Sequence, residues 1–360
     1  MAVNVDTVAG TYRRLRATRV LTTARAGAPF AAFLVLSGAF LLLSSPFDLY
    51  IGNLCLLASI AALGLNLLTG TAGQLSIGSA ALLAVGAYTS VPLSHHVGFL
   101  ASVFGGGIAA ATVGIIVGFP SLRLRGLYLV FSTLALQYVA SFAFQQLQTS
   151  QNAISGYSPA AASIAGLVLN SDRKWFVILA ITLFLACTSA TSLMRGRPGR
   201  AWRSIRDHDV AAAVIGVNVT VAKLSAFLVS SFIIGCAGAL GAFYLQNVSY
   251  ETYSLDLAIS YVAMIIIGGL GSVWGSVAGA AVVTALPYLV QNVGTIVLGS
   301  TSALIVNNLA ALDITTYSVI VIAFLLFEPG GLAVISRRLR GLAGHITSLP
   351  ALGIRAGGRR

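Results

Sequence analysis

The feature that most constrains the fold of this sequence is a series of apolar stretches, each near the length needed to cross a lipid bilayer. A helix needs about 20 apolar residues to make that crossing. Ten such stretches occur, near residues 28–45, 50–69, 75–94, 99–119, 127–146, 175–194, 224–245, 257–272, 275–294 and 316–335. Charged residues make up only 8% of the chain, whereas a typical soluble domain has about 25%. The sequence therefore predicts an all-α integral membrane protein with about ten transmembrane helices.

The basic residues indicate how these helices are oriented. With ten spans, 19 of the 21 Arg and Lys residues fall on one side, and Arg173 and Lys174 fall on the other. Cytoplasmic loops carry an excess of Arg and Lys. We therefore expect both termini in the cytoplasm, with a basic segment over residues 1–27, a transmembrane domain over 28–335 and a basic tail over 336–360. This bias explains the net charge of +12 without nucleic-acid binding.

Two connections between the predicted spans are long. We expect residues 146–174 outside the cell and residues 195–223, which carry six basic residues, in the cytoplasm. The N-terminal stretch has two interpretations, because Phe30–Leu43 followed by Ser44–Pro46 also fits a cleaved signal peptide. We favour a retained first helix, since its removal would place the two termini on opposite faces.

The distribution of reactive residues argues against several classes of function. Neither lysine follows a glycine, so the chain has no Walker A motif, and any ATPase that drives it is another polypeptide. No carboxylate or histidine falls at the centre of a predicted span, whereas ion-coupled carriers usually keep such residues in mid-membrane. The three cysteines are far apart and lack metal-ligand spacing. These patterns weigh against a proton relay, a metal site and an intramembrane hydrolase.

Two glycine-rich connections follow the second and eighth predicted spans, at Gly64–Gly78 and Gly268–Gly275. Small residues let membrane helices approach closely, and broken helices line the pathway of some transporters. Polar side chains nearby either face such a pathway or bond neighbouring helices, and the sequence does not choose between these roles. The candidates for a pathway are Asn66, Gln74, Ser76, Ser79, Thr133 and Gln137.

The cytoplasmic connection contains the pattern of a short amphipathic helix over Gly199–Asn218. Gly216 is placed to end that helix. Such a helix either lies on lipid headgroups or docks into a cytoplasmic partner, and the pattern alone favours neither. The residues that recur at three- and four-residue steps, and therefore share one face, are Trp202, Ile205, Asp209 and Ala212.

Several motifs of this chain occur in the same order as in a known family. They are Leu63–Gly70 with Ala72–Ser76, Arg123–Tyr128 with Thr133–Ala135, Thr149–Ile154, Gly199–Asn218 with Lys223–Phe227, Gly268–Ser272 and Pro329–Leu332. In these motifs, which extend roughly over residues 50–335, the chain resembles the branched-chain amino-acid permeases of ATP-binding-cassette (ABC) importers, the LivH/LivM type. It is more similar to LivM than to LivH.

The resemblance implies a permease subunit of the bacterial plasma membrane, with no cofactor and no ATPase site of its own. Such a subunit forms, by alternating access, the pathway for branched-chain amino acids or a related small polar solute. The implied partners are a homologous permease, two ABC ATPases, an extracytoplasmic solute-binding protein and membrane lipid. The cytoplasmic helix would couple to the ATPase through Gly199, Arg200, Arg203, Ile205, Arg206, Asp207, Ala211, Ala212 and Gly216.

The chain departs from this family at two positions. Family members often have a carboxylate where Ala213 stands and another in the fifth helix, near Gln137 and Tyr138. The first departure concerns a contact with the ATPase, and the second concerns the substrate. Related permeases carry urea and short amides, so an ABC permease for those solutes stays an alternative. An ion-coupled secondary transporter is the alternative from another class.

Overall fold

The computed structural model describes residues 33–122, 127–153, 156–164 and 166–298, together with residues 318, 319 and 322. Helices account for nearly all of these ranges. We number them α1 Phe33–Leu43, α2 Pro46–Asn66, α3 Ser79–Val97, α4 Phe99–Ser121, α5 Leu127–Ser150, α6 Asp172–Arg195, α7 Arg197–Val214, α8 Val219–Leu245, α9 Leu255–Gly268 and α10 Val273–Leu298. A π-helical turn, Leu67–Thr71, follows α2, and a 3₁₀ turn, Tyr250–Tyr253, precedes α9.

The described helices include five stretches that are long and apolar enough to cross a membrane. These stretches are Pro46–Thr71, Phe99–Pro120, Tyr128–Ser150, Asp172–Arg195 and Val219–Leu245. Shorter apolar helices occur at Phe33–Leu43, Leu255–Gly268 and Val273–Leu289. The predicted α-helical membrane protein is confirmed. The expected last span, near 316–335, lies almost entirely outside the described residues, so the total of ten spans stays a prediction.

The long connection expected at 146–174 contains a feature that an all-α prediction did not include. Two strands, β1 Ser163–Ile164 and β2 Leu167–Val168, pair in antiparallel register as a small hairpin. An isolated antiparallel bridge also joins Tyr157 to Val248, in the connection that precedes α9. The backbone of this connection is therefore held to the rest of the chain.

Local sequence explains where several helices begin and end. α2 begins at Pro46, four residues before the predicted span, because Ser45 forms a capping box with Asp48: the Asp48 N–H donates to Ser45 Oγ at 3.3 Å and the Ser45 N–H donates to the Asp48 carboxylate at 3.2 Å. α8 begins at Val219, because the Asn218 side chain accepts a hydrogen bond from the Val221 N–H. α9 ends early, at Gly268, because Gly269 has φ 102°.

Close glycine contacts hold three of the long helices together. α8 packs against both α3 and α4, which also pack against each other. A Cβ added at Gly86 of α3 would meet the backbone of Gly235 in α8, and one at Gly238 would meet the backbone of Leu83 in α3. At these points the helix backbones touch directly. Small residues at helix crossings allow this approach inside a membrane, where dispersion contacts stabilise association.

The outer surface of the described bundle is apolar. Phe119 of α4, Phe131 of α5 and Leu185 of α6 are each at least 60% exposed. An exposed apolar surface of this extent is costly in water but matches a hydrocarbon environment. The surface therefore agrees with the low charge content of the sequence.

Candidate pathway and coupling site

The connection between α2 and α3 is unwound. After the π-helical turn and Ala72, residues 73–78 are not helical, and α3 begins only at Ser79. Within a membrane such a backbone must find internal partners or line a cavity. The Gln74 N–H donates to Leu68 O at 3.1 Å, and the Ile77 N–H donates to Thr133 Oγ1 at 3.1 Å. Thr133 of α5 therefore holds the unwound segment in place.

Gln137, also on α5, bridges two elements. Its Oε1 accepts a hydrogen bond from the Ala81 N–H at 2.7 Å, and its Nε2 donates to Tyr253 O at 2.8 Å. Ala81 lies in the first turn of α3, where backbone N–H groups lack a partner within the helix. Gln137 therefore satisfies one such donor and connects the start of α3 to the 3₁₀ turn.

A narrow crevice lies beside Gln137, between α3, α5 and the 3₁₀ turn. It is too tight to hold a water molecule in this conformation, and its lining residues are Ala81, Ala84, Gln137, Ala140, Ser141, Phe144, Tyr250 and Tyr253. The three alanines contribute only small methyl groups to its walls. Phe144 is held in place by stacking on Tyr88, with ring centroids 4.2 Å apart. The walls are thus mainly apolar, with a few polar groups.

The structure brings five of the six pathway candidates to this unwound connection and its contact with α5. Gln74, Ser76, Ser79, Thr133 and Gln137 are all at most 4% exposed. Ser76 Oγ accepts a hydrogen bond from the Gly78 N–H. In the described part of the chain, neither amide atom of Gln74 has a hydrogen-bond partner, nor does Ser79 Oγ. Buried polar groups without partners are energetically costly. Their presence therefore indicates that this segment has a role other than helix packing.

The sixth candidate, Asn66, connects this unwound segment to a second helix break. Its Oδ1 accepts from the Gly271 N–H, and its Nδ2 donates to Ser272 O, both at 2.9 Å. Gly271, with φ 78°, lies in the turn between α9 and α10. A Cβ at Gly70 would collide with both the Asn66 side chain and the Gly271 backbone. The two glycine-rich motifs therefore contact each other, and Asn66 hydrogen-bonds the end of α2 to the turn between α9 and α10.

The helix predicted in the cytoplasmic connection is α7, and its predicted face is buried. Trp202, Ile205 and Ala212 are 1%, 7% and 2% exposed. The Trp202 indole N–H donates to Ser225 Oγ of α8 at 3.0 Å. Asp209, on the same face, forms an ion pair of 3.7 Å with Lys223, near the start of α8. α7 is therefore anchored to α8.

Two backbone features shape α7. His208 has extended dihedral angles (φ −157°, ψ 105°), which divide α7 into two helical pieces. At the C-terminus, the Val217 N–H donates to Ala212 O and the Gly216 N–H donates to Ala213 O, each at 3.0 Å. Gly216 has φ 89°. This arrangement is a Schellman motif, and it confirms that Gly216 ends the helix.

The nine predicted coupling residues divide between the two faces of α7. Gly199, Ile205 and Ala212 are buried, whereas the exposed residues are Arg200, Arg203, Arg206, Asp207, Ala211 and Gly216. Beside them the structure exposes an apolar strip that the sequence analysis missed: Val210, Val214 and Ile215 are 62%, 83% and 74% exposed. The four-residue spacing of Val210 and Val214 is the pattern that could have revealed this strip.

Arg206 is exposed, yet its guanidinium is bound to the unwound region. Its Nη1 donates to Gly70 O, in the π-helical turn, at 2.6 Å. Its stem lies over Gly73, where an added Cβ would be 2.7 Å from Arg206 Cγ. This contact between α7 and the first helix break was not predicted, because residues 70 and 206 are far apart in sequence.

Outside α7, the carboxylates and histidines of the described chain lie at helix ends and in connections. Asp48, Asp172 and Asp256 are in the first turns of their helices. Glu251 is in the 3₁₀ turn. His95 and His96 are in the last turn of α3, which extends to Val97, three residues past the predicted span. Their peripheral positions agree with the sequence analysis, although both histidines are helical. Asp6, Asp313 and Glu328 lie outside the described residues.

Comparison with known proteins identifies the family. The model of a family described as "Branched-chain amino acid transport system / permease component" matches residues 48–327. The chain belongs to this family. The permease is 31% identical over 267 residues to the high-affinity branched-chain amino acid transport system permease protein LivM of Escherichia coli (strain K12). It is 29% identical over 267 residues to the protein of the same name from Salmonella typhimurium (strain LT2).

Both alignments cover only part of each protein. They include 67% of the permease and 63% of each LivM protein, so less than two thirds of these relatives is matched. No solved structure matches the permease. The resemblance drawn from the ordered motifs is confirmed, and the family match covers α2 from Asp48 onward and α3 to α10 completely.

Proposed function

We propose that this permease is the transmembrane subunit of an ABC importer in the bacterial plasma membrane. In this proposal it forms the pathway for branched-chain amino acids or a related small polar solute by alternating access. Family membership supports the type of protein, and one structural observation carries the mechanism. α7 is anchored to α8 on one face, contacts the unwound connection through Arg206, and exposes its other face.

The exposed face of α7 suits a cytoplasmic ATPase. It combines basic residues, Arg200 and Arg203, with the apolar strip of Val210, Val214 and Ile215. Val214 is 83% exposed, and burial of such a side chain in a partner contributes about 1.5–3 kcal/mol. We therefore assign ATPase docking to this face, with the buried Gly199, Ile205 and Ala212 supporting it from beneath. The small side chains of Ala211 and Ala213 allow a partner to approach this face closely.

The unwound connection and the crevice suit the pathway. The first turn of α3 carries the partial positive charge of a helix N-terminus, and transporters use such discontinuous helices to face the carboxylate of an amino acid. The buried Gln74 amide and Ser79 hydroxyl offer further hydrogen bonds. Ala81, Ala84 and Ala140 give the crevice small apolar walls, against which a short aliphatic side chain would pack once the crevice widens during transport.

The remaining parts of the importer follow from the same proposal. The permease pairs with a homologous permease, two ABC ATPases supply the energy, and an extracytoplasmic binding protein delivers the solute. The permease itself binds no nucleotide and needs no metal or cofactor. Ten spans with both termini in the cytoplasm place α7 beside the ATPases.

Reconstitution tests this function directly. The permease would be purified gently from native membranes with its co-purifying chains, which mass spectrometry identifies, and then placed in proteoliposomes. We expect an ABC ATPase and a second permease, with uptake of radiolabelled leucine, isoleucine or valine that depends on ATP and on the binding protein. Uptake by the permease alone, driven by an ion gradient, would contradict the proposal. ATP-dependent uptake of urea or acetamide without amino acids would keep the ABC mechanism and correct the substrate.

A further inference from the structure

Arg206 joins the cytoplasmic helix to the first helix break through a short, charged hydrogen bond. The 2.6 Å distance from its Nη1 to Gly70 O is at the short end of those for charged donors, which are stronger than neutral ones. Its Nη1 also lies 3.6 Å from the position that a Cβ would take at Gly271. The guanidinium therefore sits where the two helix breaks meet.

The two breaks form one unit, which we call the break cluster and define as Asn66, Gly70, Gly73, Gly271 and Ser272. The side chain of Asn66 binds the backbone of Gly271 and Ser272. Gly70 lies against both Asn66 and Gly271. Because these contacts link the ends of α2, α9 and α10, a displacement at Gly70 acts on all three helices.

The other side-chain contacts of α7 join it to α8 and not to the break cluster. Trp202 bonds Ser225, and Asp209 pairs with Lys223, so both contacts join α7 to the first turns of α8. α8 in turn is packed tightly against α3 and α4 through glycines. A force on α7 therefore reaches a rigid group of helices through Trp202 and Asp209, and the break cluster through Arg206.

We propose that Arg206 is a positioning residue for transport, which transmits the displacement of α7 to the break cluster. This inference rests on the proposed function and adds a specific route between the ATPases and the pathway. A guanidinium is suited to the task because it stays charged and offers several donors in one rigid plane. Glycine at position 73 leaves the space that the Arg206 stem occupies.

Three variants in the complete importer test this role. Arg206→Gln removes the charged donor, Arg206→Lys keeps the charge but loses the planar group, and Arg197→Gln is the matched control. Arg197 is exposed on the same helix, and the described structure gives it no hydrogen bond to the break cluster. Each complex would be assembled with its partners in proteoliposomes. The measured quantities are subunit composition, ATP hydrolysis and solute uptake per ATP hydrolysed.

We expect Arg206→Gln to assemble normally and to hydrolyse ATP within about twofold of the wild-type rate. Its uptake per ATP should fall about tenfold, within the range of coupling lost when a link between two sites is removed. Arg206→Lys should recover part of the ratio, to within about fivefold of wild type. Arg197→Gln should keep the wild-type ratio and the wild-type rate of ATP hydrolysis.

Two results would overturn the inference. One is a wild-type ratio of uptake to ATP in both Arg206 variants. The other is failure of Arg206→Gln to bind the ATPase while the permease pair still forms, which would make Arg206 a docking residue. If Arg206→Gln does not accumulate in the membrane, the ratio in Arg206→Lys decides alone. Failure of the proposed function is distinct, because the wild-type complex would then show no ATP-dependent uptake.

Discussion

A single amide side chain replaces backbone hydrogen bonds at the two helix breaks. Asn66 accepts from the Gly271 N–H and donates to Ser272 O, and its side chain is almost completely buried. A turn inside a membrane protein has no bulk water to satisfy these groups. The amide is the side-chain group that donates and accepts at once with a short stem, which explains its place at the end of α2.

Replacement of Asn66 by alanine should destabilise the permease by about 1–3 kcal/mol, because it leaves the partly buried Gly271 N–H without its partner. Ser272 O would still accept from the Ser276 N–H at 3.0 Å. Thermal unfolding of the detergent-solubilised protein measures this loss. Ser59→Ala is the matched control, since Ser59 is equally buried on α2 but bonds carbonyl groups at Cys55 and Val277, both within helices. Equal stability of the two variants would show that the Asn66 bonds contribute little.

The sequence identified most of these side chains without revealing their partners. It named Asn66 and Gln137 as polar residues that either line a pathway or bond other helices, and the structure shows both making bonds. Their partners are over 50 residues away: Asn66 binds Gly271, and Gln137 binds Ala81 and Tyr253. Helical periodicity relates only residues on the same helix, so it cannot predict such contacts.

Glycine contacts between α3, α4 and α8 determine how closely these elements pack. The contacts are tightest where a backbone carbonyl of one helix lies against a glycine of the next, as at Gly86 and Gly235. No rearrangement of a side chain can make room there, because the neighbouring atoms belong to backbones. These three helices therefore form a tightly packed group that deforms little.

Gly235→Ala should lower stability by about 1–3 kcal/mol, the usual cost of overpacking, because the new methyl group would meet Ala110 of α4 and the backbone of Gly106. Gly241→Ala is the control on the same helix, since a Cβ there has no neighbour within 4 Å. Its higher helix propensity should leave stability unchanged or slightly raised. Thermal unfolding of both variants in one detergent compares them. A Gly235 variant as stable as the Gly241 variant would mean that the helices separate without cost.

Helical periodicity predicted α7 well but did not predict the helix break between α2 and α3. Trp202, Ile205 and Ala212 share one face of α7 as predicted, and that face is buried, although the helix bends at His208. The π-helical turn and the late start of α3 were not predicted. Apolar composition continues through residues 67–78, and hydropathy does not distinguish a helix from an unwound segment that is stabilised by distant partners.

At the scale of the whole molecule, the two ends of the helical bundle differ in their number of basic residues. α6 runs from Asp172 to Arg195, a length of about 36 Å for a helix of that many residues. Arg173 and Lys174 are therefore at one end, and α7 with its basic residues is at the other. By the positive-inside rule, we expect the α7 end in the cytoplasm.

Cysteine labelling checks this orientation. In a background with the three native cysteines replaced by serine, Ser171→Cys and Arg200→Cys each add one exposed thiol. With the permease expressed without its partners, a membrane-impermeant maleimide should label residue 171 in intact spheroplasts and residue 200 only in inverted vesicles. Labelling of both positions from the same side would contradict the orientation, since one transmembrane helix separates them.

The contact between Arg206 and Gly73 has a consequence for the construction of hybrid permeases. The stem of the arginine occupies the space of a Cβ at residue 73. The residues at positions 73 and 206 must therefore be exchanged together, although they are far apart in sequence. A hybrid that receives α7 from a relative must receive residues 66–74 with it. Otherwise the residue at position 206 of the transferred α7 would face a residue 73 that does not leave space for its side chain.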